Sequence, residues 1–177
     1  MRPGGGALAA LACAMASAPA WADAPPAAPA ATVCSLSGEV CATREPASRS
    51  TVVWRRLPRG GRATLWRAGV LPVNVQVSDD GRTLVELYPG SNLLDARAGP
   101  SAVVLTFHHA DRAPATVRLD QVIARPEALP RTESNRLWAN AYGFDAAGRY
   151  VLETAEGRRF LFDPATGRPI KGALLRP

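Results

Sequence analysis

Lysine is nearly missing from this chain of 177 residues: Lys171 is the only one, so almost all of the positive charge is arginine. Histidine is confined to the adjacent pair His108 and His109, which leaves no third imidazole for a histidine-built metal centre. Neither a G-x-S-x-G elbow nor an H-E-x-x-H helix motif is present, and the sequence carries no cofactor motif. Beyond an N-terminal apolar stretch, no second run is long enough to cross a bilayer as a helix. These absences remove the motif-bearing serine hydrolases, the zinc proteases and the multi-helix membrane proteins from consideration.

What is present at the N-terminus predicts export. Arg2 precedes an Ala/Leu-rich stretch from Ala7 to Ala18, and Ala20-Trp21-Ala22 supplies an A-x-A cleavage site. Cleavage is expected after Ala22, because cutting after Ala18 would place Pro19 at the new N-terminus. Lipidation at Cys13 is the alternative, although Ala10-Leu11-Ala12 makes a poor lipobox. Residues 23–32 follow as a Pro/Ala-rich linker, and residues 33–177 form a single domain. The expected location is periplasmic or secreted.

An exported protein meets an oxidising environment, and two of its cysteines outlast the signal: Cys34 and Cys41 in CSLSGEVC. At this spacing a disulfide across a small hairpin, turned at Ser37-Gly38, is expected rather than a metal site or a redox pair. Closing so short a loop restricts the unfolded chain by about 2.5 kcal/mol in the loop-entropy picture. Removing residues 1–22 takes away one basic residue, Arg2, and no acid, so the formal charge falls from +6 to +5. A chain so rich in Ala, Arg, Gly and Pro reflects GC-rich codons, and a nucleic-acid partner is not expected for an exported protein.

From residue 51 onward, strand patterns alternate with Gly, Pro and Asp clusters. Strands are predicted at 51–57, 63–68, 73–77, 82–88, 102–107, 116–119, 137–144, 149–154 and 158–163. The one helical piece is DQVIARP, begun at Asp120 and stopped by Pro126. An all-β domain follows.

Two stretches echo each other. Gly81-Arg82-Thr83-Leu84-Val85-Glu86-Leu87 aligns with Gly148-Arg149-Tyr150-Val151-Leu152-Glu153-Thr154, with Gly, Arg and Glu identical. Strand alternation places Thr83, Val85 and Leu87 on one face, matching Tyr150, Leu152 and Thr154; Leu84 and Val151 lie on the other. Apolar residues on both faces imply sheets packed on both sides. VSDDGRTLVE and FDAAGRYVLE resemble the Asp-Gly turn and following strand of bacterial periplasmic β-propeller blades. RRFLFDPATGRPI is similar to the last strand and exit turn of quinoprotein-type blades. Residues 66–170 also resemble a group of secreted bacterial proteins of unassigned function. The resemblance implies two to three propeller-blade-like antiparallel sheets. The glycines of the two copies are 67 residues apart (148 − 81), against about 40–50 for one blade, and the chain is too short to close a ring. The expected arrangement is therefore an open, incomplete propeller, with a β-sandwich as the alternative.

Three groups of residues carry candidate chemistry. WRRLPRGGRATLWR places Arg55, Arg56, Arg59, Arg62 and Arg67 between Trp54 and Trp66 without one acid. Guanidinium forks and indole faces of this kind grip phosphates and carboxylates, so lipopolysaccharide or anionic lipid is a candidate partner. The favoured reading is structural: a solvated hairpin tip with both tryptophans turned into the core. His108, His109 and Asp111 invite a metal or hydrolase site, with Ser101 as nucleophile, but adjacent strand residues point to opposite faces and do not converge. Asp79-Asp80 and Glu153/Glu156 are expected at turns, and SDDG lacks the alternating oxygens of a calcium loop. The expectation is a non-catalytic binding or structural module of the cell envelope, whose partner is an envelope protein or a polyanion.

Overall fold

The structure is a computed structural model, and it describes residues 31 to 170. The expected signal peptide, Cys13, residues 23–30 of the expected linker and Lys171 lie outside the described residues. Three four-stranded antiparallel sheets follow one another along the chain. The first consists of β1 (Thr32–Cys34), β2 (Val40–Glu45), β3 (Ser50–Arg56) and β4 (Arg62–Ala68) in sequential order. β1 therefore takes up Thr32, the last residue assigned to the linker. The Cys34–Cys41 disulfide joins directly opposed positions of β1 and β2, and Gly38 supplies the left-handed corner between them at φ 74°.

The second sheet contains β5 (Val75–Val77) and β6 (Thr83–Leu87). A loop carrying β7 (Leu93–Asp95) then leads to β8 (Val103–His109) and β9 (Ala115–Arg118), giving the order β5-β6-β8-β9. One turn of helix, α1 (Leu119–Val122), ends well before the proline that bounds the expected segment. β10 (Asn135–Leu137) then pairs back onto β7 as a two-stranded ribbon. The third sheet runs β11 (Ala139–Phe144), β12 (Tyr150–Thr154), β13 (Arg159–Asp163) and β14 (Arg168–Pro169). Every segment expected to be a strand carries one, and none of the sheets closes on itself.

The second sheet is buried on both faces. Val85, Leu87, Leu105, Phe107 and Val117 join Tyr150, Leu152, Phe160 and Phe162 of the third sheet in one core. Phe107 meets Tyr150 edge to face with centroids 5.6 Å apart, a favoured geometry for two rings. On the opposite face Leu84 and Val77 pack with Val40, Ala42 and Val53 of the first sheet in a second core. Because the strand period is two, neighbouring residues of β6 serve different cores.

The long interval between the two echoing stretches also has a structural cause. Residues 88–102, which carry β7, are looped out of the second sheet, and residues 119–138 form a helical and ribbon connection to the third. Trp138 sits where the chain leaves the ribbon for the third sheet. It is fully buried, with its Nε1 donating to the Ser91 carbonyl at 2.8 Å. That indole holds the inserted loop against the large core.

Candidate functional site

β8 carries the histidine pair, and its pleat separates them. His108 shares a face with Leu84, is 7% exposed, and places Nε2 2.8 Å from Glu86 Oε2. His109 points to the other face, where Nδ1 lies 3.5 Å from Thr83 Oγ1. Burial, followed by the charge of Arg112, lowers the pKa of His109 from its ordinary value, which keeps the ring neutral near pH 7. Ser101 precedes β8 and Asp111 follows it, so the seven residues of that strand hold them roughly 20 Å apart. A Ser101/His108/Asp111 set cannot meet around one reacting atom. Among the described residues there is no group of three or more His, Cys, Asp or Glu side chains placed to hold a metal ion.

A cleft of about 710 Å³ opens where four turns come together at one end of the second and third sheets. Asp79, Asp80, Arg82, His109, Asp111 and Asp163 face it. Three of its four carboxylates, those of Asp79, Asp80 and Asp163, are committed to holding the fold. Asp79 Oδ1 accepts from the Ser37 amide at 2.8 Å, and its pKa is lowered first by the Ser37 side chain, then by that amide and the Ser35 side chain. Asp80 Oδ1 accepts from Ser78 Oγ at 2.5 Å and from the Arg82 amide at 2.9 Å. Asp163 accepts from the Ala165 amide at 3.0 Å and from Thr166 Oγ1 at 2.8 Å. Asp111 pairs with Arg112, which holds its carboxyl below the ordinary value. The Asp80 and Asp163 bonds are turn caps of the kind short polar side chains make locally, whereas the Asp79 bond ties the cleft to the disulfide loop. His109 hydrogen-bonds no carboxylate among the described residues, and its Nε2 is buried without a partner, so no carboxylate orients it as a general base.

Glu156, expected at a turn, accepts from the Ala124 and Arg125 amides, each at 2.9 Å, and ties the connecting segment to the third sheet. Glu153 departs from the expectation. It lies within β12 opposite Arg159, because the strand continues through Thr154 before turning.

The arginine-rich hairpin is β3 and β4, and its residues divide into committed and uncommitted groups. Trp66 is half-buried against the second core, with Nε1 donating to the Gly81 carbonyl at 2.7 Å. Arg55 reaches the Asp80 carbonyl at 3.2 Å, and Arg67 pairs with Glu45 at 2.6 Å and bonds Ser50. Trp54 corrects the expectation that both tryptophans turn into the core. Trp66 stands opposite Val53, so Trp54, the neighbour of Val53, must face the other way. Its ring lies half-buried on the outer face of the first sheet, with Nε1 donating to Thr43 Oγ1 at 2.9 Å. Arg62 covers that ring at 5.9 Å from the centroid. Arg56, Arg59 and Arg62 form no ion pair among the described residues.

Two of these placements were open to sequence reasoning, since the opposed histidines and the aspartate caps follow from strand period and turn chemistry. The Glu86 partner of His108 was not, because it depends on which strand pairs with β6. No family model, no curated protein and no solved structure matches this chain, so its functional reading rests on its own geometry.

Proposed function

We propose that this chain is a non-catalytic binding or structural module of the bacterial cell envelope, exported to the periplasm or beyond it. Its three sheets would act as consecutive blades of an incomplete propeller, a rigid scaffold that presents loops and an outer face to a partner. The observation that carries this reading is the way its reactive side chains are spent. The histidines are split between two faces of β8, and of the cleft carboxylates Asp80 and Asp163 hold their own turns and Asp79 the disulfide loop. The crosslink supports an oxidising compartment, in keeping with the N-terminal export pattern. No helix among the described residues is long and apolar enough to cross a membrane.

The test is complementation of a deletion strain. A triple variant, Ser101→Ala, His109→Ala and Asp111→Ala, removes the candidate reactive groups that are not needed for packing. It restores the wild-type envelope phenotype if the chain works by binding. A folded triple variant that fails to complement contradicts the proposal.

A further inference from the structure

The tip of the β3–β4 hairpin combines features that a purely structural hairpin does not need. Arg56 and Arg62 stand directly opposite each other across the two strands. Like charges in that relation destabilise a sheet, and neither guanidinium forms an ion pair among the described residues: the Glu45 carboxylate, which feels the charge of Arg62, is paired with Arg67 instead. Arg59 adds a third unpaired guanidinium at the turn. Leu57 lies among them 42% exposed, and every residue from Arg55 to Arg62 is exposed. Gly60 and Gly61 both take φ 84°, and nothing lies within 4 Å of where a Cβ would be at either, so the tip stands clear of the body. The other arginines of the same hairpin, Arg55 and Arg67, are bonded to the fold at its base.

A soluble anion accounts for the guanidiniums but gives Leu57 nothing to contact. An anionic lipid surface accounts for both, because arginines sit at headgroup phosphates while an apolar apex enters below them and long stems keep the charges wet. Half-buried Trp54, with Arg62 over its ring, forms a firm base for the tip. Resting on the reading of the chain as an envelope binding module, we propose that the β3–β4 hairpin tip docks the protein on an anionic phospholipid membrane. Arg56, Arg59 and Arg62 meet headgroup phosphates, and Leu57 inserts between the lipids.

The experiment is co-sedimentation of the oxidised, exported protein with vesicles of phosphatidylcholine alone, or of phosphatidylcholine and phosphatidylglycerol in equal parts. Binding is expected only to the mixed vesicles, and it falls between low and physiological salt as the exposed charges are screened over about 8 Å. Arg59→Ser with Arg62→Ser weakens it about thirty-fold in a protein that still unfolds cooperatively. The charge-conserving pair Arg59→Lys and Arg62→Lys keeps most of the binding, because a lipid surface needs charge rather than a fixed fork. Leu57→Ser weakens binding at both salt concentrations. No binding to the mixed vesicles, or equal binding by wild type and the double serine variant, overturns the proposal. So does displacement by inorganic phosphate at matched phosphate concentration, which marks a site for soluble anions instead. Any of these results with complementation intact refutes the docking site and leaves the binding-module reading standing.

Discussion

The turns at Gly81 and Gly148 are built alike and placed differently. Both glycines sit in the left-handed region, at φ 74° and 75°, and each donates its amide to the carbonyl three residues back, Gly81 to Ser78 at 3.0 Å and Gly148 to Asp145 at 2.9 Å. Around Gly81 the space is full. A Cβ there would lie 2.3 Å from Leu65 Cδ1 and 3.3 Å from Val40 Cγ1 of the first sheet, and Trp66 donates to the glycine carbonyl. Around Gly148 nothing lies within 4 Å. The strands that follow show the same contrast: Leu84 is fully buried in the second core, whereas its counterpart Val151 is half-buried and belongs to neither core. Local sequence therefore sets the turn and the pleat, while the neighbouring sheet decides how much a given position contributes to stability.

The comparison is broken most severely on the face the two copies share. Val85 is fully buried between the second and third sheets, so Val85→Asp places a carboxylate without a partner in the large core. A loss of more than about 4 kcal/mol is expected, read as the absence of a cooperative unfolding transition. Arg82→Ser, at an exposed position with no ion pair among the described residues, should change stability by less than about 0.5 kcal/mol.

The glycines sharpen the comparison with a smaller effect. Gly148→Ala carries only the left-handed backbone cost, about 1 kcal/mol. Gly81→Ala carries the same cost and must also displace Leu65 and crowd Val40, for a total of about 2–4 kcal/mol. Urea unfolding of the two variants measures the difference, and equal costs would show that the first sheet does not bear on this turn.

Much of this contrast was hidden in the sequence for physical reasons. The strands from residue 51 onward were legible because alternation and Asp-Gly turns are local signals. β1 and β2 are legible only as the small disulfide hairpin at 34–41, since TVC is short and VCATRE is half polar; their full extent depends on the crosslink and on the pairing of β2 with β3. β7 is three residues long and pairs with β10 across some forty residues of chain, so neither has a local signature. The opposed faces of His108 and His109 followed from the strand period, as did the separation of Trp54 from Arg55. Which arginines would be free did not, because Asp80 and Glu45 reach Arg55 and Arg67 only once the sheets are assembled.

The central claim is that the first sheet covers the outward face of the second at Leu84, whereas Val151, its counterpart in the third, is only half-buried, and it is tested most directly by truncating these two matched outward residues. Leu84→Ala removes a fully buried side chain from the second core and should cost about 2–5 kcal/mol. Val151→Ala, at the half-buried counterpart, should cost about 1 kcal/mol or less. Chemical denaturation of both variants gives the two values under one set of conditions. A gap of about 2 kcal/mol or more is the expected result; equal losses would contradict the stacking of the first sheet on the second.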